Sequence, residues 1–317
     1  MFGLDSDWSL DLPPRYHTLD DYEGGVVKWC PGCGDFAVLT AVQRVCRDSQ
    51  LAPEKTVFVS GIGCSSRFPH YMSTYGFHGL HGRALPVACG VKSRRPDLDV
   101  WVATGDGDCC SIGAGHWIHA IRYNMNLVVL LFDNSIYGLT KKQTSPTTPM
   151  GVPTNTHPEG GILPPLNPLQ ATLGFTNASF VAQTVDWNPA HLLATIKVAH
   201  AHKGLSFVRI IQRCPAFVPL MFEEQKQNPE HVLYLDHPNG VQVDPAVAKL
   251  FPNQMSHDPS NMDEAREIAS IPDKIPIGIL YQNESLVCYE DYTTKGVGLS
   301  AASKVEALEN ELDRFAV

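Results

Sequence analysis

No run of about 18 apolar residues, the length a membrane-spanning helix needs, occurs in the 317-residue chain. The N-terminus, MFGLDSDWSLDLPP, has neither a basic n-region nor an apolar h-region, so no export signal is expected and the default compartment is the cytoplasm. Basic stretches are scarce too. Residues 221 to 317 hold 17 Asp or Glu against 7 Lys or Arg, and the first 220 residues are balanced at 16 against 17. Without a basic stripe to neutralise phosphates, nucleic acid is not an expected partner. Internal repeats and low-complexity tracts are also missing. Charged residues make up only 18% of the chain and hydrophobic ones 44%, which excludes a disordered protein and is enough for one large domain or two modest ones.

What the chain does have is cysteine, nine in all. An odd number spread over a long cytoplasmic chain reads as thiols, metal ligands or redox groups rather than as a disulfide framework.

Four short apolar runs rich in Val, Leu and Ile, at 56 to 61, 99 to 107, 126 to 134 and 205 to 211, suit strands buried on both faces. Helical patterns lie between them at 33 to 47, 84 to 94 with Pro86 in the first turn, 111 to 124, and 189 to 203. The alternation predicts an α/β fold, a mostly parallel sheet with helices on both faces. Residues 144 to 168, TSPTTPMGVPTNTHPEGGILPPLNP, are dense in Pro, Thr and Gly and predict a long functional loop. After about residue 218 successive turn signals leave helix-like pieces only near 262 to 270 and 300 to 315. Three regions are therefore expected: an N-terminal extension (1–24), a main domain (25–218) and an irregular C-terminal extension (219–317) that contacts another subunit.

The stretch TGDGDCCSIGAG ends a strand in Gly105-Asp106-Gly107 and opens a helix. The next strand ends in Asp133-Asn134, with 26 residues between Gly107 and Asn134. Two adjacent parallel strands thus present their C-terminal ends together, where open α/β sheets bind ligands. Glycines let backbone amides approach a phosphate at a helix N-terminus. Asp106, the Asn134 amide oxygen and the Ile136 carbonyl are hard oxygen donors suited to Mg²⁺. Read alone, GDG is also an ordinary strand-to-helix turn. With its spacing to Asn134, it resembles the thiamine diphosphate motif, although Asp133 stands where that pattern usually has Asn.

The pair Cys30 and Cys33 in WCPGCGDF needs companions to form a metal site. Cys64 follows the first strand and Cys214 follows the strand at 205 to 211, so both sit at the same sheet edge as Asn134. Four such thiolates suit a [4Fe-4S] cube or a zinc site, and the spacing alone leaves a site without metal equally open. Cys46 and Cys89 fall in helices, Cys109 and Cys110 follow the GDG turn, and Cys288 lies in the tail. These five read as small buried groups.

The segments WCPGCGDF, SGIGCSSRFPHYM, LHGRALPVACGVK, TGDGD, FDNSIYGLTKKQTSPTT and QRCP, in this order over residues 25 to 220, are similar to those of 2-oxoacid:ferredoxin oxidoreductase β subunits. The resemblance implies that Cys30, Cys33, Cys64 and Cys214 ligate a [4Fe-4S] cluster. It also implies that Asp106, Asn134 and Ile136 hold Mg²⁺. The expected cofactor wall is Ile62, Gly63, Cys64, Ser65, His81, Gly105, Asp106, Gly107, Asp108, Asn134, Ile136, Gly138, Leu139 and Thr140. The implied reaction is CoA-dependent oxidative decarboxylation of a 2-oxo acid, with electrons passing through the cluster to ferredoxin.

Segment 63 to 83 looks closer to the 2-oxoglutarate-using members, making succinyl-CoA the expected product; pyruvate or a broader range of 2-oxo acids is the alternative. Arg67 is a candidate carboxylate clamp, and His81 and Arg83 candidate contacts to diphosphate or substrate. Lys141 and Lys142 are candidate anion attractors, although adjacent lysines commonly face solvent. The glutamate that activates the aminopyrimidine ring is not recognisable here and is expected from an α subunit in an (αβ)₂ assembly. An iron-free thiamine diphosphate decarboxylase and a zinc-stapled scaffold protein are the competing readings.

Overall fold

The computed structural model describes residues 15–293 and 300–315. Its strands are β1 (Thr56–Ser60), β2 (Tyr75–His78), β3 (Asp99–Gly105), β4 (Leu127–Asp133), β5 (Phe180–Val185), β6 (Leu205–Ile211), β7 (Val232–Leu235), β8 (Asn253–Met255) and β9 (Ile275–Gln282). Its helices are α1 (Asp35–Asp48), α2 (Ala84–Arg94), α3 (Ala114–Tyr123), α4 (Pro168–Leu173), α5 (Pro189–Ala201), α6 (Glu223–Gln227), α7 (Pro245–Ala248), α8 (Met262–Ala269), α9 (Tyr289–Thr293) and α10 (Ala301–Asp313).

The strands form one sheet in the order β2-β1-β3-β4-β6-β5-β9-β7-β8. Every neighbouring pair is parallel except β5 with β9. The apolar runs are long because both sheet faces are covered. In β4, Leu127, Val129 and Leu131 pack on the side of α2, α3, α4 and α8, while Val128, Leu130 and Phe132 pack on the side of α1 and α5. The same alternation puts Val57 and Val59 of β1 on the first side and Phe58 on the second. Phe58 stacks on Trp101 at 5.7 Å between ring centroids, and both are fully buried. Burial of each such side chain is worth about 1.5–3 kcal/mol.

The four strands and the helices read from sequence are present, shifted by a residue or two at their ends. The stretch read as helical at 111 to 124 is instead a π-turn, Asp108–Ile112, followed by α3. The structure also contains strands that the apolar pattern does not reveal. In β5, FVAQTV, the run is broken by Gln183 and Thr184, yet both are buried. Gln183 is satisfied internally: its Nε2 donates to the Pro276 carbonyl at 2.6 Å and its Oε1 accepts from Arg209 Nη1 at 3.0 Å.

Residues beyond 218 are less irregular than their turn signals suggest, because β7, β8 and β9 extend the same sheet. Strand β9 carries Pro276 and Gly278, which usually argue against a strand. Gly278 is required there: its φ is 126°, and a β-carbon would lie 3.1 Å from the Leu235 carbonyl oxygen. The N-terminal extension falls partly outside the described residues. Its end packs on the body through buried Tyr22, whose hydroxyl meets the Leu51 carbonyl at 2.7 Å and the Cys46 carbonyl at 3.0 Å.

Candidate cofactor site

The loops after β1, β3, β4 and β6 surround one cleft at the C-terminal edge of the sheet. All fourteen residues expected along the cofactor line it, joined by Asp35, Phe132, Tyr137 and Gln212. Four adjacent parallel strands end side by side here, and the connections after β1 and β3 leave in opposite directions, toward β2 and β4, which opens a crevice between them.

Asp106 is 3% exposed and its Oδ2 accepts from Thr147 Oγ1 at 2.7 Å. The same hydroxyl lies 2.8 Å from Asp133 Oδ1. Burial, and then the neighbouring Asp133 charge, push the Asp106 carboxyl up to about 7. Asp133 is held through Oδ2 by Arg209, with Nε at 2.7 Å and Nη2 at 2.6 Å. The residue that departs from the usual Asn thus has an ion-pair partner. Asn134 Oδ1 accepts from the Ile136 amide at 3.1 Å, and Ser135 takes φ 58° to make the tight turn. Tyr137 returns across the cleft to donate to the Gly107 carbonyl at 2.9 Å, filling the space a β-carbon on Gly107 would need.

Asp108 ties three loops together. Its Oδ1 accepts from the Ile62 amide at 3.2 Å and the Gly82 amide at 2.7 Å, and its Oδ2 from Thr104 at 2.8 Å. The same Oδ1 lies 2.5 Å from His81 Nδ1.

All nine cysteines are free thiols. Cys33 and Cys30 close a tight turn, with the Cys33 amide 3.1 Å from the Cys30 carbonyl. The Gly34 amide donates to the Arg213 carbonyl at 3.1 Å, which brings this turn against the Cys214 segment. Trp29 Nε1 anchors the Cys64 carbonyl at 2.7 Å. A β-carbon on Gly138 would lie 3.6 Å from the Cys64 sulfur and 3.7 Å from that of Cys214. Burial pushes the Cys64 thiol up to about 12 and raises those of Cys33 and Cys214; the nearby Asp35 charge adds to all three, and neighbouring thiols add to the rise at Cys33 and Cys64. Asp35, 1% exposed, has no partner on either carboxylate oxygen, and burial lifts it to about 7.

Asp35 and Asp106 are buried here with no basic side chain of the described residues bonded to them, and burial favours their neutral form, whereas Asp133 is paired with Arg209. Among the described residues no three or more His, Cys, Asp or Glu form a ready cage for a single ion.

Arg67 does not line the cleft. Its Nε donates to the Tyr71 hydroxyl at 2.8 Å and its guanidinium lies over that ring. Arg83 reaches the Gly82 carbonyl at 3.3 Å, and Lys141 is exposed. Asp35, Gln212, Thr147 and Arg209 did not stand out in the sequence. The first two adjoin cysteine motifs, which was the available signal, whereas Thr147 is one of several threonines in a loop.

A family model described as thiamine pyrophosphate enzyme, C-terminal TPP binding domain, matches residues 61–210. A second, for the C-terminal part of the pyruvate ferredoxin oxidoreductase beta subunit, matches residues 246–295. The chain is 49% identical over 191 residues to 2-oxoglutarate oxidoreductase subunit KorB of Mycobacterium tuberculosis, covering 60% of this chain and 51% of that one. The chain thus spans about half the length of that relative. It is 39% identical over 271 residues to 2-oxoacid:ferredoxin oxidoreductase 2, subunit beta, of Aeropyrum pernix, covering 85% and 84% of the two chains. Among solved structures, a 2-oxoglutarate:ferredoxin oxidoreductase from Magnetococcus marinus with 2-oxoglutarate, coenzyme A and succinyl-CoA bound matches with TM-score 0.78. That match has 35% identity and covers 92% of this chain and 96% of that one. Among the described residues no helix is long and apolar enough to cross a membrane. With a thiamine diphosphate-binding domain and similarity to these proteins over most of its length, the chain belongs to the β subunits of the 2-oxoacid:ferredoxin oxidoreductases.

Proposed function

We propose that this chain carries the thiamine diphosphate, Mg²⁺ and [4Fe-4S] sites of a CoA-acylating 2-oxoacid:ferredoxin oxidoreductase acting on 2-oxoglutarate. The observation that supports it most directly is the shared wall of one cleft: Asp106 and Asn134 end adjacent strands, and Cys64 lines the same cavity. Bound there, thiamine diphosphate supplies carbanion chemistry at the substrate carbonyl and the cluster takes up electrons singly.

The protein's own residues bind and position. Asp106, the Asn134 side-chain oxygen and the Ile136 carbonyl offer Mg²⁺ three hard donors. Thr147 and Arg209 hold Asp106 and Asp133 in place. Gly105 and Gly107 leave room for the diphosphate to meet backbone amides. Asp108 fixes the His81 ring by its Nδ1, so Nε2 is the nitrogen left for the cleft. Cys30, Cys33, Cys64 and Cys214 supply four sulfurs, and iron would take the place of their thiol protons.

The rest of the reading concerns assembly. The site is completed by a glutamate from an α subunit, the unit pairs to (αβ)₂, and ferredoxin is the electron acceptor in the cytoplasm. The acidic region after residue 218 and the 144–168 loop are the surfaces assigned to the α subunit. The loop is ordered enough for this, pinned by Gly151 N to Gly161 O at 2.8 Å and Leu166 N to Pro146 O at 2.8 Å. Its tip exposes Met150, Ile162 and Leu163.

The test is the iron, sulfide and thiamine content of the chain purified with its α subunit. About four iron and four sulfide per β chain together with thiamine diphosphate support the reading. Thiamine without iron would turn it into an iron-free decarboxylase, and zinc without thiamine into a scaffold.

A further inference from the structure

We infer that Gln212 sets the potential of the electron-accepting centre by donating a side-chain hydrogen bond to the Cys33 sulfur. The inference rests on the cluster reading above. Gln212 follows β6, and its backbone amide is fixed to the Asp133 carbonyl at 2.9 Å. The side chain is 1% exposed and its Nε2 lies 3.3 Å from Cys33 Sγ. The same nitrogen donates to the Arg213 carbonyl at 2.5 Å.

That second bond fixes the orientation of the amide. Rotating it by half a turn would set Oε1 against the Arg213 carbonyl and the sulfur, two acceptors facing a third. The N–H face is therefore committed to the sulfur, while Oε1 is buried without a partner on a residue that lines the cleft. Gly34 leaves room for Asp186 and Gln212 alike, since a β-carbon there would lie 2.0 Å from Asp186 Oδ2 and 2.8 Å from Gln212 Cγ.

Hydrogen bonds to cluster sulfurs are among the determinants of reduction potential. A donor to a ligating thiolate favours the reduced cluster, which carries one more negative charge, and so raises the potential. Gln212 is thus a tuning residue, acting through Cys33 rather than on substrate.

The experiment uses the αβ holoenzyme with glutamine side chains labelled with ¹⁵N. The cluster midpoint potential is measured by EPR-monitored titration, and pulsed EPR of the reduced cluster reads the coupling to the side-chain nitrogen. In wild type the coupling is expected. In Gln212→Leu it should vanish and the potential should move negative. In Gln212→Glu, close in volume but with a carboxylate facing the sulfur, the potential should move further negative. An unchanged potential in Gln212→Leu with the cluster intact overturns the inference, as does a wild-type cluster without side-chain nitrogen coupling. Failure of both variants to assemble a cluster assigns Gln212 to folding and overturns it too. A wild-type holoenzyme with no iron–sulfur signal at all instead sinks the cluster reading.

Discussion

Asp108 holds His81 by its Nδ1, 2.5 Å from the buried carboxylate oxygen Oδ1. A carboxylate in that position fixes the ring and its tautomer, so Nε2 is the atom His81 can offer the cleft. Asp108 also anchors the amides of Ile62 and Gly82. Replacing it with Ala should therefore destabilise the fold by about 1–3 kcal/mol for each buried donor left without a partner. Asp108→Asn keeps most of the packing. It should leave the melting temperature within a few degrees while thiamine diphosphate affinity falls about 10–100-fold, the range for partners one step removed from a metal or cofactor. Calorimetry and fluorescence titration measure the two effects, and equal loss of stability in both variants would show that the tie is only structural.

Thr147 supplies one hydroxyl proton to a space between two carboxylates, Asp106 and Asp133. Thr147→Val removes that proton at nearly constant volume. Mg²⁺ affinity in the presence of thiamine diphosphate should drop about 10–100-fold. Asp106→Ala, which removes a direct donor, should drop it further. Thr147→Ser should restore affinity to near wild type. If Val and Ser behave alike, the hydroxyl has no part in holding Asp106.

We propose Arg67, read from the sequence as a carboxylate clamp, as the contact for the distal carboxylate of 2-oxoglutarate. In this structure Arg67 Nε is already engaged by the Tyr71 hydroxyl, and the side chain does not line the cleft. Its terminal nitrogens remain for a bidentate contact. Steady-state kinetics of Arg67→Leu should show KM for 2-oxoglutarate rising about 10–100-fold, the value of a charge-assisted pair at about 1.5–3 kcal/mol. KM for 2-oxobutyrate should change little. Equal increases for both substrates would remove Arg67 from substrate recognition.

How far the sequence disclosed this molecule follows from how each residue is recognised. Strands β1, β3, β4 and β6 are largely buried on both faces, so they show as runs dominated by apolar residues. Strand β5 contains Gln183, whose polar atoms are satisfied only by Pro276 and Arg209, residues remote in sequence. Nothing local distinguishes such a glutamine from a surface one. The same holds at the site. Asp106, Asn134 and Cys64 are marked as candidates by local motifs, and the fold brings them to one cleft. Gln212 and Thr147 gain their roles only when β6 and the 144–168 loop fold against β4.

Two buried histidines contribute to the loss of stability in acid. His191 on α5 is fully buried, with Nδ1 2.8 Å from Thr184 Oγ1 and Nε2 unpartnered. Burial lowers its pKa to about 3. His202, bonded to Ser179 Oγ at 2.9 Å, is lowered by burial to about 4. Both values fall below the ordinary 6.5, so the unfolded chain binds these protons first. Their contribution to stability is complete above about pH 6.5. It is lost as pH falls, down to about 4 for His202 and about 3 for His191. Within that window each histidine steepens the loss by up to about 1.4 kcal/mol per pH unit. His191→Gln removes one titrating group from the fold. Its urea-unfolding free energy, compared with wild type between about pH 6.5 and 4.5, should therefore fall less steeply by up to about 1.4 kcal/mol per pH unit. Parallel pH profiles for the two proteins would mean that His191 is already protonated in the folded state, against the burial and hydrogen bonding seen around it.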